Sequence, residues 1–199
     1  MTARAYDHER SATVSNRVKR LVAELERRNI VQEPALDAAV ESFLLHATPV
    51  NGKRVVARAW TDAAFKERLL EDASAAVEEL GIDMSHWAPV KLRAVENGAR
   101  RHNLIVCTLC SCYPIALLGP SPAWYKSEAY RSRAVVDPRG VLVEFGVTLG
   151  PNVEIAVWDS TAETRYVVLP QRPHGTGDLS EEELAALVTR NGLIGTALV

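Results

Sequence analysis

The chain's three cysteines all fall within one short run, Cys107-Thr108-Leu109-Cys110-Ser111-Cys112. An odd number of crowded thiols does not read as a disulfide framework, which spreads its cysteines so that bridges close long loops. In a reducing compartment such a cluster points to metal or redox chemistry. Thiolates are soft ligands that suit zinc, copper(I) and iron, and they also bind trivalent cobalt strongly. A structural zinc site wants four protein ligands. The nearest candidate for a fourth is His102, on a presumed strand that need not face the loop. An iron–sulfur cluster also usually wants four cysteines, and the chain has no fourth. Each of these readings falls one ligand short.

The loop can also offer its own backbone. The amide nitrogens of Ser111 and Cys112 could complete a square with the sulfurs of Cys110 and Cys112, with Cys107 axial and the opposite position open to water or substrate. An amide gives up its proton only to a strongly polarising ion, so this arrangement favours a trivalent metal. An open position is what a Lewis-acid catalyst needs. Spacing alone leaves a zinc fragment or a redox site standing beside this reading, and those are the commoner uses of three clustered cysteines.

Composition narrows the setting. Lys plus Arg number 23 and Asp plus Glu 25, a formal charge of −2, which gives no electrostatic reason to expect nucleic acid or an anionic membrane as partner. Residues 1–20 mix charged and small residues without an apolar stretch, unlike a signal peptide. No apolar run approaches the length of a membrane span, so a cytoplasmic protein is expected. A chain of 199 residues can build one or two domains around a sizeable core.

Positioning a cysteine loop requires a rigid frame, and the apolar periodicity supplies one. Val14, Val18, Leu21, Val22 and Leu25 follow helical spacing over residues 14–29, with Asn29 as a C-terminal cap. A second helix, from Pro34, is expected to bury Leu36, Val40, Phe43 and Leu44. Together they read as an arm whose apolar face needs the chain's own body or a partner subunit. After a turn at Asn51-Gly52, one helix carries Val55, Val56 and Trp60, and another starts at Thr61-Asp62 and runs through Phe65, Leu69, Leu70, Val77 and Leu80 to Gly81.

Beyond Gly81 the period changes. Val90, Leu92 and Ala94 alternate as in a strand, Asn97-Gly98 marks a turn, and Leu104-Ile105-Val106 reads as a short buried strand leading into the cysteines. A proline-rich loop (Pro114, Pro120, Pro122) follows, then a helix from Asp137-Pro138 to Gly146 and a pair of strands over 153–158 and 165–169. Ser180-Glu181-Glu182-Glu183 is a capping box opening a last helix with Leu184, Leu187 and Val188. The expected division is an N-terminal helical region, 1–81, and an α/β metal-binding domain, 82–199.

The run Val106-Cys107-Thr108-Leu109-Cys110-Ser111-Cys112-Tyr113-Pro114 resembles the metal-binding signature of nitrile hydratase α subunits. Thr108 and Tyr113 resemble the cobalt type, where the iron type generally has Ser and Thr. The resemblance extends in order through Arg54-Val-Val-Ala-Arg-Ala-Trp60, His102-Asn103, Trp124-Tyr-Lys126, Tyr130-Arg-Ser-Arg133, Val157-Trp-Asp-Ser160, Arg165-Tyr166, Leu169-Pro170 and Arg172-Pro173, and covers residue 14 to the C-terminus. It implies an α+β fold, with a helical N-terminal arm and a four-layer α-β-β-α domain. It also implies one Co(III) per chain, held by Cys107, Cys110, Cys112 and the Ser111 and Cys112 amides. Cys110 and Cys112 would be oxidised to sulfinate and sulfenate, and Cys110, Ser111 and Cys112 would take part in catalysis. The implied reaction adds water to a nitrile to give the amide. The implied partners are a β subunit, whole or split, whose arginines meet the oxidised sulfurs, and a cobalt-loading activator protein.

One departure is informative. Nitrile hydratases usually read Tyr-Pro-Trp-Pro after the cluster, with the Trp lining the substrate pocket, whereas this chain reads Tyr113-Pro114-Ile115-Ala116. The related thiocyanate hydrolase subunit tends to carry Arg at that position, which suits an anion; neutral Ile115 does not. The expectation is therefore a nitrile bulkier than a simple aliphatic one, such as the heteroaromatic nucleoside toyocamycin. The rivals are a thiocyanate hydrolase-like subunit and a non-catalytic zinc or redox module. Thr108, Tyr113, Ile115 and Trp124 are the candidates for lining the metal loop and substrate pocket. Tyr113 is favoured because its hydroxyl could order the loop, and Trp124, Tyr125 and Lys126 read equally as a pocket wall or subunit contact and as an aromatic anchor. Glu96 and Asn97 read first as turn chemistry. His86 and His174 read as surface histidines, and Arg131, Arg133, Arg165 and Arg172 as salt-bridge or partner groups.

Overall fold

The computed structural model describes residues 3–84, 90–110 and 112–199, with side chains from residue 12 onward. The chain divides into two compact units, Met1–Leu45 and His46–Val199. The change from helices to mixed α and β near Gly81 is therefore internal to the second unit. In the first unit α1 (Ala3–Arg27) ends where Asn29 turns left-handed at φ 54°, the conformation expected of its cap role. Helix α2 (Glu33–His46) departs from expectation. None of its residues is buried, and Leu36, Val40, Phe43 and Leu44 are 37–51% exposed. Helical spacing foretold the apolar stripe but could not supply anything to cover it.

In the second unit α3 (Pro49–Thr61) starts at the Thr48 cap with proline in its first turn, and buries Val55, Val56 and Ala59. Gly52 lies so close to another segment that a Cβ would stand 2.7 Å from the Leu117 carbonyl oxygen. The helix expected to run from Asp62 to Gly81 is two helices, α4 (Ala63–Glu71) and α5 (Ala73–Glu78). Asp72 breaks it by turning its carboxylate onto the Ser74 and Ala75 amides at 3.0 and 3.3 Å, the behaviour of an N-cap. Gly81 has φ +70°, as its position after the helix suggested.

Four strands follow: β1 (Lys91–Glu96), β2 (Arg101–Val106), β3 (Glu154–Asp159) and β4 (Thr164–Leu169). They form two separate parallel pairs, β1 with β4 and β2 with β3. Lys91 stands opposite Thr164 in one ladder and Arg101 opposite Glu154 in the other. The turn at Asn97-Gly98 is present, closed by a bridge from Gly98 to Arg101, but β1 and β2 do not pair along their length. Parallel pairing requires long crossovers, and these carry α6 (Ile115–Leu118), a 3₁₀ turn (Ala123–Lys126), α7 (Glu128–Val136) and α8 (Pro138–Glu144). Of these only α8 was expected. The short helices α9 (Glu181–Leu187), opened by the Ser180–Glu183 capping box, and α10 (Arg190–Ile194) close the chain.

The layers follow from what each element touches. Helices α4 and α5 pack on β1, β4 meets β2, and α7 and α8 lie against β2 and β3, giving helices, sheet, sheet, helices. This is the α+β, four-layer arrangement expected. Between the layers Leu92, Leu104, Ile105, Leu117, Leu142 and Leu169 are fully buried, which fixes the inward faces of β1 and β4 and shows β2 covered on both sides. Among the described residues no helix is long and apolar enough to cross a membrane.

Candidate metal centre

Strand β2 aims the cysteines. Its residues Leu104, Ile105 and Val106 are buried on both faces, and Cys107 directly after them is 0% exposed. The strand end cannot slide. The Tyr130 hydroxyl donates to the Ile105 carbonyl at 2.6 Å, and the Ser160 amide donates to the Val106 carbonyl at 2.8 Å. From this fixed point the chain turns back on itself, and the Sγ atoms of Cys107, Cys110 and Cys112 come within 4.8 Å of one another. All three are free thiols.

The spacing within the cluster tests what it could hold. Ligand atoms about 2.3 Å from an ion stand about 3.3 Å apart at a right angle and about 3.8 Å apart at the tetrahedral angle. Cys110 Sγ lies 3.5 Å from Cys107 Sγ and 3.1 Å from Cys112 Sγ. Both separations are of the size required of sulfurs that share one ion. His102 does not complete a zinc set. Its Nε2 donates to the Gly195 carbonyl at 2.7 Å, which leaves Nδ1 to accept from the Asn97 side chain at 3.3 Å, so both ring nitrogens are occupied. Ser111, whose backbone nitrogen is a candidate ligand, lies outside the described residues, as does His86.

Protonation points the same way. Burial pushes the Cys112 thiol up to about 12; the neighbouring Cys110 thiol adds to the rise and the Arg165 guanidinium opposes it. Cys112 therefore keeps its proton at neutral pH, and a bound cation is what would make its thiolate the stable form. The donor set, three sulfurs offered by one short loop, fits a thiophilic metal ion.

One residue without a separate role in the sequence, Asp159, and two assigned elsewhere, Tyr125 and Arg131, hold the loop. Asp159, the last residue of β3, accepts from the Thr108 amide at 2.9 Å and from the Thr108 hydroxyl at 2.5 Å. Tyr125 donates from its hydroxyl to the Cys112 carbonyl at 2.9 Å. Arg131, on α7, donates from Nη1 to the carbonyls of Thr108 and Cys110. Burial raises the pKa of both Tyr125 and Tyr130 well above the phenol range, so both remain neutral donors. The favoured Tyr113 does not play this part: its hydroxyl is buried without a hydrogen-bond partner among the described residues, and its ring meets Tyr125 edge-on at 5.0 Å. Sequence position next to Cys112 suggested Tyr113, but the 3₁₀ turn brings Tyr125 to the carbonyl instead.

A cavity of about 140 Å³ adjoins the loop, lined by Met84, Val90, Tyr113, Ile115, Ala116 and Arg165 among others. Ile115 is part of this lining. Trp124 is not part of this lining; it packs edge-on against Tyr130 and Phe145 at 4.9 and 4.7 Å. Arg133 forms an ion pair with Glu144 at 2.7 Å, and Arg172 ties the Trp60 carbonyl to Thr176, both internal structural roles. Asn97 does more than turn the chain: its Oδ1 accepts from the Asn103 backbone at 2.7 Å and from the Asn103 side chain at 2.9 Å.

Three thiols on a clamped loop, at the edge of a four-layer α+β frame, define a candidate metal centre built from one six-residue stretch of the chain. The comparisons with known proteins make this specific. Residues 12–197 match the family described as nitrile hydratase, alpha chain, and the chain belongs to that family. It is 49% identical over 185 residues, 93% of this chain and 88% of the relative, to the low-molecular weight cobalt-containing nitrile hydratase subunit alpha of Rhodococcus rhodochrous. It is 42% identical to the thiocyanate hydrolase subunit gamma of Thiobacillus thioparus, over 75% of this chain and 65% of that one. Among solved structures it is similar to a double mutant of the Fe-type nitrile hydratase from Comamonas testosteroni Ni1, with a TM-score of 0.87 and 40% identity, covering 94% of this chain and 90% of that one.

Proposed function

We propose that this chain is the catalytic α subunit of a cobalt nitrile hydratase, adding water to a nitrile to give the amide, and that Cys107, Cys110, Cys112 and the Ser111 and Cys112 backbone nitrogens hold its Co(III). The observation that carries the reading is the convergence of the three Sγ atoms within 4.8 Å on a loop of this sequence. Bound trivalent cobalt would supply Lewis-acid polarisation of a nitrile or of water. The chain's own residues do the rest. Cys110 and Cys112, the more accessible thiols, would be the sulfurs that dioxygen oxidises to sulfinate and sulfenate. Asp159 and Tyr125 keep the loop's shape through Thr108 and the Cys112 carbonyl. A β subunit, whole or split, covers the exposed side of the centre, and an activator protein delivers the cobalt.

Ile115 sets the substrate class. With isoleucine in the cavity wall, a bulky or heteroaromatic nitrile is favoured; a cavity near 150 Å³ accommodates a benzene-sized ring. Cobalt-containing relatives at 49% identity support the metal assignment. Thiocyanate hydrolysis is the second reading, favoured by the 42% identity to a thiocyanate hydrolase subunit, and neutral Ile115 speaks against an anionic substrate.

Metal analysis and intact mass of the chain coexpressed with its β partner test the assignment. One cobalt per chain with added oxygen on two cysteines is expected. Zinc instead, or reversible disulfide formation without cobalt, would replace it with a zinc or redox module. Turnover of aliphatic nitriles, heteroaromatic nitriles and thiocyanate by wild type and Ile115→Trp reads the specificity. Equal preference in both proteins removes Ile115 from the argument.

A further inference from the structure

Leu109, at the tip of the cysteine loop, is 87% exposed and contributes nothing to a core. The loop between Cys107 and Cys112 must therefore take its shape from polar contacts. On one side Asp159 grips the Thr108 amide and hydroxyl. On the other stands Arg131, carried by α7, a helix capped by Ser127 and packed against β2. Its Nη1 lies 3.4 Å from the Thr108 carbonyl oxygen and 3.3 Å from that of Cys110. Its Nε is buried and has no acceptor among the described residues, so the head group is anchored to the loop through Nη1.

We infer that Arg131 is a positioning residue for the metal, bridging the Thr108 and Cys110 carbonyls so that the cysteine sulfurs are gathered before the ion arrives. A planar guanidinium can span two acceptors where a lysine ammonium offers a point charge. The inference rests on the nitrile hydratase reading in one respect. The Cys110 carbonyl and the Ser111 nitrogen belong to one peptide unit. When that nitrogen serves as a ligand the carbonyl oxygen carries more negative charge, and the guanidinium is already beside it.

The test uses the α chain assembled with its β partner, as wild type, Arg131→Gln and Arg131→Lys, with two readouts. After loading at limiting cobalt, Arg131→Gln is expected to hold about tenfold less cobalt, the lower end of what loss of an outer-shell group costs. Its sulfur-to-cobalt absorption band should also shift, with Arg131→Lys in between on both measures. In the metal-free protein, amide hydrogen exchange across residues 108–112 should be faster in Arg131→Gln than in wild type, and exchange in α7 unchanged. Wild-type cobalt content, absorption and loop exchange in Arg131→Gln would overturn the inference. A wild type that binds no cobalt while its loop exchange still responds to Arg131→Gln would sink the nitrile hydratase reading and leave the clamp standing. Should Arg131→Gln fail to assemble, Arg131→Lys carries the same comparison, and behaviour identical to wild type overturns it.

Discussion

The two strand pairs are built alike and used differently. Each is a parallel ladder of six residues per strand, β1 against β4 and β2 against β3. Both leave their C-terminal edges open to following loops, the edge at which open α/β sheets commonly place ligands. At the end of β2–β3 that edge holds Cys107 and Asp159, and the register that sets Val106 opposite Asp159 is what brings the carboxylate to Thr108. At the end of β1–β4 the same edge is structural. The Asn97 amide donates to the Leu169 carbonyl at 2.9 Å, and the Trp60 indole donates to the Pro170 carbonyl at 2.8 Å. One ladder presents chemistry and the other braces it, and Asn97 and Asn103 join the two. Parallel pairing supplies the edge; the residues that follow decide its use.

The comparison can be broken most severely at the metal loop. Cys107→Ala and Cys112→Ser are each expected to abolish cobalt binding and lower nitrile turnover by more than about 100-fold, beyond the range of outer-shell substitutions. Either variant retaining cobalt and turnover would remove the chemical role of the β2 edge. The bracing ladder should respond in the opposite currency. Leu92→Ala, at a fully buried position of β1, is expected to lower unfolding stability by about 2–5 kcal/mol, while cobalt per folded chain stays at the wild-type level. A large fall in that ratio would show that the two ladders are not separable. Asp159→Asn tests the clamp that the β2–β3 edge places on the loop. Cobalt content at limiting metal should fall by about 10–100-fold, and stability should move by no more than about 0.5 kcal/mol because Asp159 is exposed.

The smallest effect concerns pH. Burial holds the His102 pKa below its ordinary value, with the Gly195 carbonyl opposing. The unfolded chain therefore takes up this proton first as pH falls. The contribution of neutral His102 is complete above about 6.5 and is lost as pH drops through the lower folded value. The Asn97 side chain cannot flip to receive a protonated ring without giving up two bonds from Asn103. In unfolding titrations the stability of wild type should decline more steeply below pH about 6.5 than that of His102→Gln. Parallel curves would detach His102 from the join.

Much of the frame was readable because it depends on local rules. The Ser180 capping box, the left-handed Gly81 and Asn29, and the alternation of Leu92 and Ala94 each stand on a few adjacent residues. The metal loop was readable for the same reason, since its thiols are neighbours in the chain. What escaped depends on distant partners. Helix α7 has charged residues all round and a weak apolar face, so its Tyr130 and Ala134 declared themselves only once β2 lay beneath them. The split at Asp72 hinged on a carboxylate choosing backbone amides over solvent. The strands at 153–158 and 165–169 stood side by side in the sequence, yet each pairs with a strand far earlier in the chain. Tyr125 and Arg131 acquire their roles from where the crossover carries them, and no spacing rule encodes that.

The grip of Asp159 on Thr108 joins residues 51 positions apart. During synthesis, at about 5–20 residues per second, the cysteines leave the ribosome's catalytic centre roughly 3–10 s before the aspartate that steadies them. Over that interval they are ordinary reactive thiols on an unfinished polypeptide. A nascent chain is therefore most vulnerable to oxidative damage between the appearance of its second and third strands.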